Sequence, residues 1–125
     1  MAEDRRTFKI KEDQLGQVQI ADEVVAIIAG IAATEVDGVS SMAGNITNEL
    51  VSKLGMKNLA KGVRVEMMEG VVSVMVAINV AFGASVPEVS LKVQERIKSA
   101  IETMTGLDVA EVNIKIAGID IDKDK

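Results

Sequence analysis

The 125-residue chain contains no cysteine, histidine, tryptophan or tyrosine, a single proline, and only two aromatic residues, Phe8 and Phe82. Without cysteine there is neither a disulfide framework nor a thiolate nucleophile. Without histidine as well, the usual zinc and copper ligand sets cannot be assembled. The serines Ser40, Ser41, Ser73, Ser85 and Ser99 have no histidine to activate them and no G-x-S-x-G elbow to present them. No catalytic residue, metal site or cofactor site is therefore expected. Neither G-x-x-x-x-G-K-[ST] nor G-x-G-x-x-G occurs, so no recognised phosphate-cradling loop is present. The longest apolar run, Val24 to Ala33, is ten residues, against roughly 20 for a bilayer span. The amino end, "MAEDRRTFKIKEDQLG", lacks an apolar h-region and is not expected to be a signal peptide. A cytoplasmic protein is expected, with any membrane association made through a partner.

What remains is aliphatic and acidic. Hydrophobic residues make up 48% of the chain, so the core must be built from Val, Ile, Ala and Met. The length suits one domain that needs no staple. A net charge of −5 opposes non-specific binding to nucleic acid, whose phosphates call for a basic face.

Along the chain, residues 1–15 alternate in charge sign without an apolar period and read as a flexible arm. "GQVQIA" alternates as a short strand. Asp22 and Glu23 place negative charge at a helix start, and Gly38 follows the last turn. At about 100° per residue, Val24, Ile27, Ile28 and Ile31 share one side of this helix, read as the stripe facing the sheet. Ala26, Ala29, Gly30 and Ala33 form a second side, small enough for another helix to approach. Val25 and Val36 fill a third sector, so the helix is expected to be covered nearly all round, within its own domain or partly by another subunit.

"GVSSMAG" is a weak strand, followed by a short amphipathic helix and loop on Ile46, Leu50 and Leu54. "GVRVEMMEGVVSVMVAINVAFG" is the clearest hairpin. A turn at Glu69 and Gly70 opposes Met68 to Val71, Met67 to Val72, Val65 to Val74 and Val63 to Val76. The larger apolar residues then share one face, continued by Ile78, Val80 and Phe82. Arg64, Glu66, Ser73, Met75, Ala77 and Asn79 share the other.

Ser85 and Glu88 fit a capping box with Pro87 in the first turn. Val86, Val89, Val93, Ile97, Ala100, Ile101 and Met104 follow as one stripe, ended by Gly106. Glu95, Lys98 and Glu102 point the other way, with Leu91 among them. "VNIKIAGI" closes the domain as a strand with Val112, Ile114 and Ile116 inward. The expected architecture is α+β, a two-layer sandwich of a mixed sheet with two long helices on one face. The domain is placed at 16–121, with a short polar tail at 122–125.

Few side chains remain for function. The acids Asp22, Glu23, Glu35 and Asp37 invite a search for acid/base pairs; Asp22 and Glu23, adjacent on a helix and about 100° apart, are explained by stabilisation of the helix start. Lys53, Lys57, Lys61 and Arg64 form a basic patch, read as a solvated loop or, alternatively, an RNA contact. RNA-binding KH modules of loosely similar element order use a G-x-x-G clamp, and no two glycines here stand three apart. Leu54, Met56, Met68, Met75 and Leu91 are left over after the core is assigned and read as an interaction surface.

The segments "IADEVVAIIAGIAATEVDGVSSM", "KGVRV" and "FGASVPEVSLKVQERIKSAIETMTGLDVAEVNI" resemble the alkaline shock protein family, the envelope stress response proteins of Gram-positive bacteria. The match runs from about Val18 to Ile119. The resemblance implies a small cytoplasmic α+β protein without catalytic activity. Some members are held beneath the membrane by a membrane-protein partner, and some are linked to envelope stress or to control of fatty-acid precursor synthesis. Its motif residues Gly38, Gly62, Gly83, Pro87 and Gly106 fall at turns and caps, so no catalytic residue carries over. The expected function is a non-enzymatic, self-associating scaffold or adaptor of the cell-envelope stress response. The alternatives are a regulator that binds a metabolic enzyme and a KH-like RNA-binding module. Expected partners are further copies of the chain, and either a membrane-protein anchor or a metabolic enzyme.

Overall fold

The Glu69–Gly70 turn organises the sheet. Both residues have positive φ, 56° and 82°, as a two-residue turn matched to strand twist requires. It joins β4 (Val63–Met68) to β5 (Val71–Ala81) with Met68 opposite Val71, Met67 opposite Val72, Val65 opposite Val74 and Val63 opposite Val76, the register that parity predicts. In this computed structural model, which describes residues 7–13, 15–43 and 60–121, the other elements are β1 (Thr7–Asp13), β2 (Gly16–Ala21), α1 (Asp22–Thr34), β3 (Val39–Met42), α2 (Val86–Thr105) and β6 (Asp108–Asp120).

β5 is central. β4 pairs with its residues 71–76 and β3 with residues 78–80, both antiparallel, while β6 runs parallel along residues 71–81. A strand has two edges, so β3 and β4 lie end to end along one and β6 takes the other. The sheet is mixed, and both helices pack on one face of it. Val72, Val74, Val76, Ile78 and Val80 of β5 are all buried there, with Val65 of β4 and Val112 of β6. Arg64 is exposed and Ser73 half-buried on the opposite face. The two-layer α+β sandwich is the architecture expected.

α2 begins as its sequence dictates: the Ser85 hydroxyl accepts from the Glu88 amide at 3.4 Å, and Pro87 lies in the first turn. It ends at Gly106, whose left-handed φ of 79° lets its amide reach the Glu102 carbonyl at 3.0 Å. The Thr105 hydroxyl donates to the Ile101 carbonyl at 2.6 Å and accepts from the Leu107 amide at 3.1 Å.

Four expectations change. Within the expected arm, Thr7–Asp13 is a strand that pairs with β2, forming a separate two-stranded sheet. On α1 the buried set is Val25, Ala26, Ile28, Ala29, Gly30, Ala32 and Ala33, whereas Val24 is 45% exposed and Ile27 and Ile31 are only half-buried. The small residues admit α2 and the sheet closely, so the alanine side faces inward and part of the expected sheet stripe faces out. The helix is therefore not covered all round by the described residues. Phe82 is 73% exposed, because the ladder ends at Ala81 and the chain turns away through Gly83. Met104 is 68% exposed and Thr105 is buried instead; the Val93, Ile97, Ile101 series continues at a spacing of four.

Candidate interaction surface

Among the described residues, no helix lies on the outer face of the sheet. Alternation along β4 and β5 sets Arg64 against Met75, Glu66 against Ser73 and Met68 against Val71 there. On β6 the same face presents Glu111, Asn113, Lys115 and Ala117, all exposed. The parallel register puts Lys115 beside Ala77 and Asn113 beside Met75. The result is a groove of about 470 Å³ with Met75 and Ala77 in its floor and Lys61, Arg64 and Lys115 at its rim. Three cations thus ring an apolar floor in a protein of net charge −5.

The sequence pairs Lys61 with Arg64 but misses Lys115, which only the β5–β6 register brings to the site. Its parity, opposite to Ile114 and Ile116, was the signal that could have found it. Lys53, Lys57, Leu54 and Met56, with the expected short helix, lie outside the described residues. Met68 and Met75 share the outer face, 63% and 44% exposed. Leu91, 55% exposed, is on α2 in the other layer, so the structure does not bring it to them.

At the margin of the helix layer, side chains of α2 reach the backbone of β6. Lys98 Nζ donates to the Val109 carbonyl at 3.0 Å and to Glu102 Oε2 at 2.9 Å, and the Val109 amide donates to Glu102 Oε2 at 3.1 Å. Gln94 Nε2 donates to the Val112 carbonyl at 2.9 Å. The Lys98 hydrogen bond, helped by the Val109 amide, holds the Glu102 carboxyl below the ordinary carboxylate range. On the outer side of the sheet, Asn79 Nδ2 donates to Ser41 Oγ at 2.9 Å and to the Met42 carbonyl at 3.2 Å, tying β3 to β5.

These features describe a small α+β sandwich with a groove on the outer face of its sheet. Residues 10–121 match the alkaline shock protein 23 family, described by its cell envelope-related function, and the chain belongs to that family. It is 44% identical over 112 residues to the YqhY protein of Bacillus subtilis strain 168, covering 90% of this chain and 83% of that one. It is 31% identical over 105 residues to a stress response regulator gls24 homolog of Streptococcus pyogenes serotype M3, covering 83% of this chain and 59% of that one. Among solved structures, a triple-substituted variant of MamM CTD superposes with a TM-score of 0.50 at 14% identity, covering 79% of this chain and 96% of that one; the likeness is one of fold. Among the described residues, no helix is long and apolar enough to cross a membrane.

Proposed function

We propose that the chain is a non-enzymatic, self-associating scaffold or adaptor acting in cell-envelope stress and homeostasis, cytoplasmic and brought to the envelope by a protein partner. The observation that supports this most is the apolar surface outside the core. Met68 and Met75 stand on the outer sheet face, Leu91 and Met104 on α2, and Phe82 and Ile119 at the far end of the sheet, all exposed. Single exposed apolar residues are ordinary, but this many on one small domain suit contact with other chains. Membership of the alkaline shock protein family and the gls24 homologs' name as stress response regulators support the setting.

Sedimentation of the full chain at micromolar concentration should show species heavier than the monomer. A tagged copy should fractionate with the envelope. A chain monomeric at every accessible concentration would remove the scaffold reading. One feature favours a second reading, a regulator that docks on a metabolic enzyme: Lys61, Arg64 and Lys115 around Met75 fit an acidic protein surface with an apolar centre.

A further inference from the structure

The edge of β6 that faces away from β5 pairs with no other strand among the described residues. This strand is thirteen residues long, and an open edge of that length is a template for another strand. α2 closes only its beginning, through Lys98 and Glu102 at Val109 and Gln94 at the Val112 carbonyl. Alternation turns the backbone groups of Ile114 and Ile116 to the same side as those of Val112, and among the described residues the side-chain hydrogen bonds from α2 to β6 reach only Val109 and Val112.

We propose that this edge pairs with the same edge of a second copy, antiparallel about a twofold axis at Asn113, joining two sheets into one. The proposal rests on the self-association reading above and names its surface. Residues directly opposite in an antiparallel pair lie on the same face. Val112, Ile114 and Ile116 turn toward the helix layer, while Glu111, Asn113 and Lys115 are exposed on the outer face. A register centred on Asn113 sets Glu111 opposite the partner's Lys115 twice over, and Val112 opposite the partner's Ile114. Centring on Ile114 instead would oppose Asp108 to the partner's Asp120, and centring on Lys115 would oppose two lysines. Charge therefore selects the Asn113 register.

Leu91 supports the same axis independently. Gln94 stands over Val112, and Lys98 with Glu102 over Val109, so α2 runs opposite to β6. Leu91 lies on the same helical stripe, about 4.5 Å beyond Gln94 along the helix axis. That is between one and two strand residues at about 3.3 Å each, level with Asn113 and Ile114. An exposed leucine thus sits at the margin facing the open edge, at the height of the axis that the charges select. Pairing brings the two Leu91 side chains together over the joined sheet, and the partner's Ile114 amide replaces Gln94 at the Val112 carbonyl.

Sedimentation equilibrium of the full chain, with Glu111→Lys, Lys115→Glu and the double exchange, tests the register. Each single change sets like charges opposite each other twice and should raise the dimer dissociation constant about tenfold. The double exchange restores opposite charges and should return it to within about threefold of the original. Leu91→Glu should weaken the dimer as the single changes do. All these positions are exposed, and circular dichroism checks that each variant is folded. Association that the single charge changes leave untouched, but that Met75→Glu abolishes, would overturn the β6 edge and leave the self-association reading standing. Single changes that weaken the dimer without rescue by the double exchange would overturn the Asn113 register. A wild-type chain that never associates overturns both readings.

Discussion

At the scale of single residues, the side chains that matter most to this fold are the smallest. Gly38 joins α1 to β3 at φ 101°, its carbonyl accepts from the Ala81 amide at 2.8 Å, and a Cβ there would run into Cγ2 of Val89 on α2. Gly83 has nearly the same φ, 97°, but a Cβ there meets nothing within 4 Å. The pair separates two costs. Gly83→Ala carries only the left-handed penalty of about 1–2 kcal/mol, whereas Gly38→Ala adds overpacking of about 1–3 kcal/mol. Thermal or urea unfolding should therefore rank Gly38→Ala clearly below Gly83→Ala. Equal losses would show that Val89 moves aside without cost. Ile97, fully buried on the inner side of α2, gives the opposite experiment. Ile97→Ala opens a cavity and should cost about 2–5 kcal/mol, while Met104→Ala, on the exposed side of the same helix, should barely change the unfolding midpoint.

At the scale of elements, legibility in the sequence depended on how many neighbours an element has. The β4–β5 hairpin could be read to the residue because period-two alternation and the two-residue turn each fix the same register, and a slip of one would have exchanged Val74 with Ser73. The start and end of α2 were equally readable, since Ser85, Pro87 and Gly106 act locally. α1 was not. Apolar residues surround most of it, so periodicity could not choose between its bulky and its alanine side; the close approach of α2 and the sheet made that choice. β1 was missed for a different reason: Phe8 and Ile10 do alternate with Lys9 and Lys11, but so short a run is outweighed by the charges around it. The clasp from α2 to β6 ends on backbone groups of Val109 and Val112, which no side-chain pattern marks, and it has a pH signature. Glu102 is held below its ordinary range by Lys98 and the Val109 amide. Its folded-state pKa is thus lower than in the unfolded chain. The stabilisation is complete above the unfolded value and lost as pH falls through the folded one. Glu102→Gln should flatten that part of the stability profile below the ordinary carboxylate range, with little effect on its shape near neutrality. An unchanged acid limb would place the acid sensitivity elsewhere.

At the scale of the whole molecule, charge and shape separate the readings of function. Among the described residues one face of the sheet carries no helix, as in single-strand nucleic-acid binders, and that face gathers Lys61, Arg64 and Lys115 around a groove. Single-strand binders also stack bases on aromatic rings, whereas the floor here is Met75 and Ala77 and the chain's only aromatics are Phe8 and Phe82. Phe82 lies past the end of β5, away from the groove lining. Electrostatics alone must then carry any RNA affinity, against a net charge of −5. Three cations neutralising three phosphates would give log K a slope against log salt of only about −2 for a single strand. Binding of single-stranded RNA is expected to be weak, indifferent to sequence and lost at moderate salt. Fluorescence anisotropy with labelled oligonucleotides across a salt series measures both the slope and the preference. Sequence-selective binding that persists at physiological salt and disappears with Lys61→Glu or Lys115→Glu would make the groove an RNA site after all. The expected flat, salt-sensitive response would remove the RNA reading.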